Sequence, residues 1–378
     1  MIDISQKTLL ELLKKSLFGI EPVFQDNVDW DAVLAEAKAQ TVAALAATAV
    51  PQEFAMAWKK SALQNQASFI RVLHGQTQLL NLFEQAGIPL VILKGTAAAV
   101  YYPEPFRRAM GDVDFFAPKA SFEEALNLMK ENGYHHLSTD RRHAKLVKDG
   151  MEFELHQQFS YPDMDIEEYL IEGVSHPDWR RVGASRFPML SHLANGLVLL
   201  THLRDHLKYG VGLRQMIDWM MFVNAELDDH FWESEFWQAA ESKGLTSLAI
   251  TATRMCQRYL GLSEGISWCA SADDKLCDML LELLFYSGNF GRKNGEGSHI
   301  ESVSTRIRNM GVLHYLQSTG EASWKAYKRY HFLKPFCWIY RGFQLAKRGL
   351  KTGRGMSIAE DVDRSKDRYA LLKELGIF

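Results

Sequence analysis

The sequence contains little cysteine, and none of it forms a recognisable metal or disulfide pattern. Four cysteines occur among 378 residues, all in the C-terminal half, and no two form a C-x-x-C pair. This spacing fits neither a zinc ribbon nor a disulfide framework. We therefore predict that the protein works in a reducing compartment, the cytoplasm. The N-terminal stretch also lacks a basic region followed by an apolar core, so no secretory signal is predicted.

Long apolar runs and a strong net charge are also absent. Apolar runs such as Leu197–Leu200 and Trp219–Val223 are far too short to cross a bilayer, so no membrane span is predicted. The formal net charge of −3 argues against a surface that coats nucleic acid or membranes, although a local basic groove stays open. No internal repeat occurs. Nucleic acid is therefore a disfavoured partner.

What the sequence does contain is a change of pattern along the chain. Residues 1–86 place apolar side chains at helical spacing and include an alanine-rich stretch, which predicts helices. Residues 87–162 alternate short β-rich runs with helical ones and include a hairpin around Asp149-Gly150, a favoured two-residue turn. Residues 163–378 return to long helical patterns. We predict three domains with these bounds in an α+β fold, in which a small mixed sheet is flanked by N-terminal helices and a large C-terminal helical region.

Two carboxylates on one short β-rich run are the first candidate site residues. Asp112 and Asp114 are two positions apart, and a strand repeats every two residues, so both point to the same face. Like charges on one face repel each other unless a cation lies between them. Carboxylate oxygens are the ligands that Mg²⁺ takes at sites of phosphoryl transfer. We predict that Asp112 and Asp114 bind Mg²⁺, with Mn²⁺ as the alternative ion. The alternative is an acidic pair on a solvated or vestigial strand.

A third carboxylate is expected on the run Met151–Gln157. Glu152, Glu154 and His156 share one strand face there, while the intervening residues face the core. We favour Glu154 as the third catalytic and metal-binding residue because it lies further from the turn than Glu152. The alternative for Glu154 is an exposed strand residue. His156 could orient Glu154, contact a substrate or be structural.

The turn after the first β-rich run is a candidate phosphate site. Gly95-Thr96 follows a predicted strand and precedes a helical stretch, where backbone N–H groups form a natural anion site. Gly95 would let phosphates approach, and Thr96 would add a hydroxyl donor. Lys94 and Arg108 are nearby cations that could offset the charge of a transferring phosphate. Arg108 could instead pair with Asp112 or another acid.

The C-terminal half offers weaker signals. His202 and His206 lie at i and i+4, a spacing able to bind a metal, but without the H-E-x-x-H pattern. Arg214 and Asp218 have the same spacing, which is also that of a helix-surface ion pair. The glycine-rich stretch Gly288–Gly297 has no phosphate-loop spacing, which favours a mobile loop.

A basic tail with interleaved aromatic residues ends the chain. It could grip nucleic acid or acidic lipid, but a solvated helix packed on the core is favoured. The basic residues are Lys334, Arg341, Lys347, Arg348, Lys351 and Arg354, and the aromatic ones are Trp338, Tyr340 and Phe343.

The runs LKG, YYPEPFRRAMGDVDFF, ENGY and FELH together resemble the nucleotidyltransferase superfamily, in particular an uncharacterised bacterial nucleotidyltransferase-like family. The resemblance covers residues 88–160 and extends loosely over 202–219. It implies a polymerase-β-like core in which a Gly-Ser turn, a D-x-D pair and a later acidic residue transfer a nucleoside monophosphate from a nucleoside triphosphate. These positions fall on Gly95-Thr96, Asp112, Asp114 and Glu154.

This chain departs from the superfamily pattern in three ways. Thr96 replaces the serine, the third acid is a glutamate, and the gap from Gly95 to Asp112 is longer than in compact members. The resemblance also implies that three residues face the acceptor, His206, Arg214 and Asp218, and His156 is a further acceptor-side candidate from its place on the strand.

The leading functional prediction is a Mg²⁺-dependent nucleotidyltransferase that binds a nucleoside triphosphate. Its acceptor is a hydroxyl group on an unidentified small molecule or protein. An alternative from a different class is a nucleotide-binding or protein-interaction module that kept the fold without the chemistry. A third, weaker alternative is a transferase that acts on nucleic acid through the basic tail.

Overall fold

The computed structural model describes residues 2–159, 165–291, 293, 296–352 and 357–378. Some predictions fall outside these residues: the boundary between residues 162 and 163, positions 292, 294 and 295 of the glycine-rich stretch, and Arg354 of the basic tail. Within the described residues, helices surround a seven-stranded sheet.

The N-terminal part is helical, as predicted, and its helices begin and end at residues with the expected chemistry. The helices are α1 Ile4–Phe18, α2 Trp30–Ala39, α3 Ala43–Ala46 and α4 Ala55–Ala86. The Asp3 carboxylate accepts the N–H of Gln6 at 2.8 Å and caps α1, and Asp29 caps α2 in the same way. Helix α4 ends at Gly87, whose φ of 70° is the left-handed conformation that favours glycine.

The sheet is mixed and has the order β3-β4-β5-β2-β1-β7-β6. Its strands are β1 Val91–Leu93, β2 Asp112–Phe116, β3 His135–Thr139, β4 His143–Lys148, β5 Met151–His156, β6 Asp178–Val182 and β7 Ser185–Met189. Strands β2 and β5 are parallel neighbours, as are β1 and β7, and the remaining pairs are antiparallel. The predicted hairpin is confirmed: Asp149 and Gly150, with φ of 51° and 72°, connect β4 to β5.

Helix α4 packs against one face of the sheet. Side chains that alternate with the packed ones therefore point to the opposite face. Gly75 of α4 lies so close to β5 that a Cβ there would be 1.9 Å from the Met151 Cε atom. Further along α4, the Phe83 ring meets the Phe115 ring edge-on, with 5.5 Å between centroids. Because residues alternate along a strand, Asp112 and Asp114 point to the opposite face from Phe115. The carboxylates therefore face away from the apolar core.

Short helices follow two of the strands, and longer helices form the C-terminal half. Two helices lie within the predicted core, α5 Gly95–Ala99 and α6 Phe122–Glu131. The C-terminal α-helices are α7 Glu167–Ser175, α8 His192–Tyr209, α9 Leu213–Glu226, α10 Asp229–Phe231, α11 Trp237–Ser242, α12 Thr246–Leu260, α13 Asp274–Ser287, α14 Glu296–Met310, α15 Val312–Ser323, α16 Lys325–Arg329, α17 Cys337–Thr352 and α18 Ser357–Glu374. Helices α8 and α9 pack together, and α9 also contacts α5. These contacts join the helical half to the sheet.

The predicted α+β fold class is confirmed, and the structure adds three strands that the sequence did not predict, β3, β6 and β7. Strands β6 and β7 lie within a part of the chain that was predicted to be helical. The edge strand β6 carries Asp178, Arg180 and Arg181, and charges of this kind on an edge strand mask the β pattern. The division into three domains stays a prediction. None of the described helices has both the length and the apolar character that crossing a bilayer requires.

Candidate active site

The parallel pairing of β2 with β5 brings the predicted carboxylates together. Asp112 lies opposite Glu152 in the register, and Asp114 lies opposite Glu154. Glu152 is exposed, whereas Glu154 is half-buried and Asp114 is only 4% exposed. The strand that carries Glu154 therefore lies directly beside the D-x-D strand.

Asp114, Glu154 and His156 form the tightest group of metal-ligating side chains in the described part of the chain. One ligand atom from each lies within 4.8 Å of the other two. The His156 Nε2 atom is 3.1 Å from Asp114 Oδ1 and 3.5 Å from Glu154 Oε2. Carboxylate oxygens at this spacing suit Mg²⁺ or Mn²⁺, so the donor set fits a hard divalent cation.

Asp112 extends this group toward the mouth of the cleft. The charge of Asp114 is the main cause that raises the pKa of Asp112 to about 6, and burial adds to it. An ordinary aspartate is ionised well below that pH. The raised pKa shows that negative charge accumulates here beyond what the nearby lysines neutralise, and a bound cation would relieve it.

Two lysines pair with the carboxylates, one with Asp114 and the other with Glu154. The Lys94 Nζ atom lies 2.6 Å from Asp114 Oδ1, and the Lys145 ammonium donates to Glu154 Oε1. Burial alone would lower the pKa of Lys94, but the charges of Asp114 and Glu154 outweigh it and the pKa is raised. Lys94 also has a φ of 45° and a ψ of −120°, a conformation that is strained for a residue with a side chain. Lys94 thus connects β1 to α5 beside the carboxylates in a strained backbone conformation.

The structure separates the two residues of the predicted phosphate turn. Gly95 lines the cleft, and a Cβ there would meet only the Asp112 carbonyl oxygen at 3.8 Å and Met110 Sδ at 3.9 Å. Thr96 is 2% exposed, and its hydroxyl lies 3.8 Å from Met110 Sδ. Gly95 therefore borders open space beside Asp112, while Thr96 lies beneath it. Phosphate binding by these residues stays a prediction.

Arg108 and Asp218 form a buried bidentate pair. Arg108 Nε and Nη2 donate to the two Asp218 oxygens, each at 2.7 Å, and the Tyr102 hydroxyl donates to Asp218 Oδ1 at 2.7 Å. Arg214, at i−4 from Asp218, donates instead to the Ala109 carbonyl at 3.3 Å. The long Gly95-to-Asp112 connection is thereby held against α9. The structure leaves the phosphate contact of Arg108 and the acceptor-side roles of Arg214 and Asp218 as predictions.

Helix α8 forms the other wall of the cleft. His202 Nε2 and His206 Nε2 lie 2.9 Å apart, and His206 Nδ1 lies 3.3 Å from the Gly210 carbonyl oxygen. Burial lowers the pKa of His206 to about 4 and that of His202 well below the ordinary value, and the nearby charges of Lys94 and Arg214 act in the same direction. Both rings are therefore neutral near pH 7. They offer hydrogen-bonding groups without adding positive charge.

The two walls enclose a cleft of about 550 Å³. It is lined by predicted site residues and by further residues that were not predicted to lie there. The predicted ones are Lys94, Gly95, Arg108, Asp112, Asp114, Glu154, His156, His206 and Arg214. The additional ones include Arg142, His143, Lys145, Phe159, His202, Asp205 and Tyr209. Two of the predicted residues, Thr96 and Asp218, lie behind the lining.

For one of these additional residues, Lys145, the position in the cleft could have been predicted from the sequence. A two-residue turn at Asp149-Gly150 sets Lys148 opposite Met151, and counting back along the hairpin sets Lys145 opposite Glu154. No comparable signal places Asp205 or Tyr209 in the cleft, because both lie on α8, which meets the sheet residues only in the folded chain.

Comparison with known proteins gives one family match and a remote structural likeness. A family model described as uncharacterised nucleotidyltransferase matches residues 26–261, a range that contains every residue lining the cleft. Among solved structures, an antigenic nucleotidyltransferase-like protein from Paracoccidioides brasiliensis is 14% identical, with a TM-score of 0.33. That match covers 52% of this chain and 95% of the other. No curated protein matches the chain.

Proposed function

The chain belongs to the family of uncharacterised nucleotidyltransferases. On that premise we propose that it moves a nucleoside monophosphate from a nucleoside triphosphate to a hydroxyl group of an acceptor. The observation that carries the proposal is the register of β2 on β5, which sets Asp112 and Asp114 beside Glu154 in one cleft. Carboxylates gathered in this way are what metal-dependent phosphoryl transfer requires.

The metal would be held by Asp112, Asp114 and Glu154. When bound, Mg²⁺ or Mn²⁺ would neutralise charge on the phosphates and lower the pKa of a coordinated hydroxyl. The fit rests on the ligand atoms of Asp114, Glu154 and His156, which lie within 4.8 Å of one another, and on the raised pKa of Asp112. His156 touches both Asp114 and Glu154 and would keep their carboxylates in place.

The other residues of the cleft would bind and orient the two substrates. Gly95 leaves room for phosphates to approach the sheet, and Lys94 supplies a positive charge beside it. In the reaction, the acceptor oxygen bonds to the α-phosphorus while the bond from that phosphorus to the bridging oxygen breaks. Pyrophosphate leaves, and the hydroxyl proton is released to water. The neutral His202 and His206 on α8 would hydrogen-bond the acceptor on the opposite wall.

The test is the transfer of radiolabelled nucleotide, together with release of pyrophosphate, over a panel of triphosphates and hydroxyl-bearing small molecules and proteins. Replacing both metal-binding aspartates, Asp112→Asn with Asp114→Asn, should reduce transfer by at least about 10³-fold, because charge stabilisation in the transition state is lost. Glu124→Gln on the exposed side of α6 is the matched control and should transfer at the wild-type rate. Undiminished transfer by the double variant would refute the assignment.

A module that binds nucleotides without chemistry is the second candidate, and one observation favours it. Lys94 and Lys145 already pair with Asp114 and Glu154, as they would in a site that no longer needs a metal. Calorimetry separates the two candidates. Triphosphate binding with no turnover for any acceptor would support the module, whereas turnover that depends on added Mg²⁺ would support the transferase.

A further inference from the structure

Exposed apolar side chains are concentrated in one segment that does not line the cleft. Of the 20 large hydrophobic residues that are exposed among the described side chains, seven lie between residues 312 and 343. Phe332, Phe343 and Leu313 are 75%, 74% and 70% exposed. The others are Val312, Tyr330, Phe336 and Trp338. A concentration of this kind on a folded surface marks an interaction site.

The same segment is strongly basic, although the chain as a whole is slightly acidic. Between residues 312 and 347 there are six lysines and arginines and a single acid, Glu321, against a net charge of −3 for the whole chain. Five of the six cations are exposed: Lys325, Lys328, Arg329, Lys334 and Lys347. The segment therefore presents apolar groups and positive charge together.

The elements that carry these side chains pack into one unit. Helices α15 and α17 lie so close together that a Cβ on Gly320 would be 2.2 Å from the Cys337 carbonyl oxygen. Trp324 stacks on Tyr340 with ring centroids 4.9 Å apart, and Gln317 donates to the Lys334 carbonyl at 2.8 Å. We call residues 312–347 the basic aromatic surface.

We propose that the basic aromatic surface attaches the protein to a membrane that contains anionic lipids. Exposed Phe332 and Phe343 would enter the boundary between headgroups and acyl chains, and the lysines and arginines would lie over lipid phosphates. The positive charge of the segment is complementary to such a surface. This proposal is independent of the chemistry in the cleft.

The apolar composition favours lipid over nucleic acid. Val312 and Leu313 are 55% and 70% exposed, and aliphatic side chains gain from an acyl environment but offer no ring on which a base could stack. Trp324 and Tyr340 are stacked on each other, so one face of each ring is already covered. The rings that remain exposed are chiefly phenylalanines, which carry no polar group.

The test is flotation of the full-length protein with vesicles of phosphatidylcholine alone or of phosphatidylcholine mixed with phosphatidylglycerol. The wild type should float with the anionic vesicles only, and less as salt is added. Lys328→Glu with Lys347→Glu should lower the partition coefficient by more than about 25-fold, since each cation near an anionic surface contributes about fivefold. Phe332→Ser with Phe343→Ser should abolish flotation at physiological salt, because the apolar anchors are lost.

Two double variants elsewhere on the surface serve as matched controls. Val23→Ser with Met56→Ser removes apolar side chains that are 79% and 78% exposed, and Lys59→Glu with Lys60→Glu reverses two exposed charges on α4. Both should float like the wild type. All the substituted side chains are exposed, and circular dichroism checks that each variant is folded.

Three outcomes would overturn the proposal. The first is absence of flotation with anionic vesicles at low salt. The second is a phenylalanine variant that floats as well as the wild type. This would show that the surface binds polyanions through charge alone and has no apolar anchor. The third is tight binding of a single-stranded RNA oligonucleotide, lost in the same variants, with no binding to vesicles; this would assign the surface to nucleic acid.

Discussion

The two walls of the cleft balance their charges differently. On the sheet wall, Asp112, Asp114 and Glu154 face two lysines, and the pKa of Asp112 is raised to about 6 because negative charge remains in excess. The helical wall comprises α8 together with Arg108 and its α9 partner Asp218 behind the lining, and these two charges neutralise each other in a bidentate pair. Two histidines of that wall have lowered pKa values and are neutral. The sheet wall is thus set up to receive a cation, whereas Arg108 and Asp218 on the helical wall are paired with each other.

This contrast indicates a division of tasks between the walls. Excess negative charge on the sheet wall destabilises the protein without a ligand, and a bound cation would offset the repulsion. Such an arrangement is typical of a catalytic site. A wall whose charges pair internally provides shape and hydrogen bonds instead. The proposed donor chemistry rests on the sheet wall, and we propose that the helical wall selects the acceptor.

The largest expected effect on stability comes from breaking the internal pair of the helical wall. Arg108→Met should lower the free energy of unfolding by about 3–5 kcal/mol, because Asp218 would remain buried without its cation. Urea denaturation followed by circular dichroism measures the change. Glu168→Gln removes one partner of an ion pair in which Glu168 is 68% exposed, and should cost less than about 1 kcal/mol. A loss below that level for Arg108→Met would show that the helical wall does not depend on the pair.

On the sheet wall, replacing the Asp112 carboxylate should increase the stability of the protein. In metal-free protein, Asp112→Asn should raise the free energy of unfolding by about 2–3 kcal/mol at pH 7.5, from about 1.4 kcal/mol per unit of pKa shift. The folded pKa of Asp112 lies above its ordinary value of 3.8, so the native state holds the proton more tightly than the unfolded chain. The loss of unfolding free energy caused by Asp112 is therefore absent below the pKa of the unfolded state. It grows as the pH rises and is complete above about pH 6. The gain in the variant should therefore largely vanish near pH 4.

The neighbouring aspartate provides the control for this prediction. Asp114→Asn removes the partner 2.6 Å from the Lys94 ammonium and leaves a buried cation unpaired, so it should destabilise the protein. Thermal unfolding in the presence of a chelator compares the two variants across pH 4–8. If both substitutions shift the transition in the same direction, the excess charge on the sheet wall has been assigned to the wrong residue.

The smallest effect on stability is expected for Gly95→Ala. The new methyl group would meet only ordinary van der Waals neighbours, at 3.8 and 3.9 Å, and alanine is favoured over glycine in a helix by at most about 1 kcal/mol. Stability should stay the same or rise slightly, while nucleotide transfer should fall by about tenfold, since the methyl group occupies the approach to Asp112. Gly342→Ala on α17, where a Cβ would meet nothing within 4 Å, is the matched control and should transfer normally. Full transfer by Gly95→Ala would place the phosphates elsewhere.

Local patterns were sufficient to predict much of the sheet wall. The period of two along β2 put Asp112 and Asp114 on one face, and the Asp149-Gly150 turn predicted the hairpin that presents Glu154. The register of that turn also implies the pairing of Lys145 with Glu154. The strands β6 and β7 were missed because the charges on β6 hide its pattern.

The helical wall could not be predicted in the same way. Arg108 and Asp218 are 110 residues apart, and the spacing of Asp218 from Arg214 suggested a different ion pair. His202 and His206 stood out through their i, i+4 spacing, but only the packing of α8 opposite the sheet places them across from Asp114.

By itself, the sequence determined which side chains share a strand face, where turns and helix ends fall, and that the carboxylates need a positive partner. These properties depend on the backbone period and on residues a few positions apart. Only the tertiary structure decided that Lys94 meets Asp114 and Arg108 meets Asp218, that Thr96 lies beneath Gly95, and that α8 closes the cleft. Ion pairs and burial depend on distances between elements that are far apart along the chain, and those distances exist only once the helices have packed against the sheet.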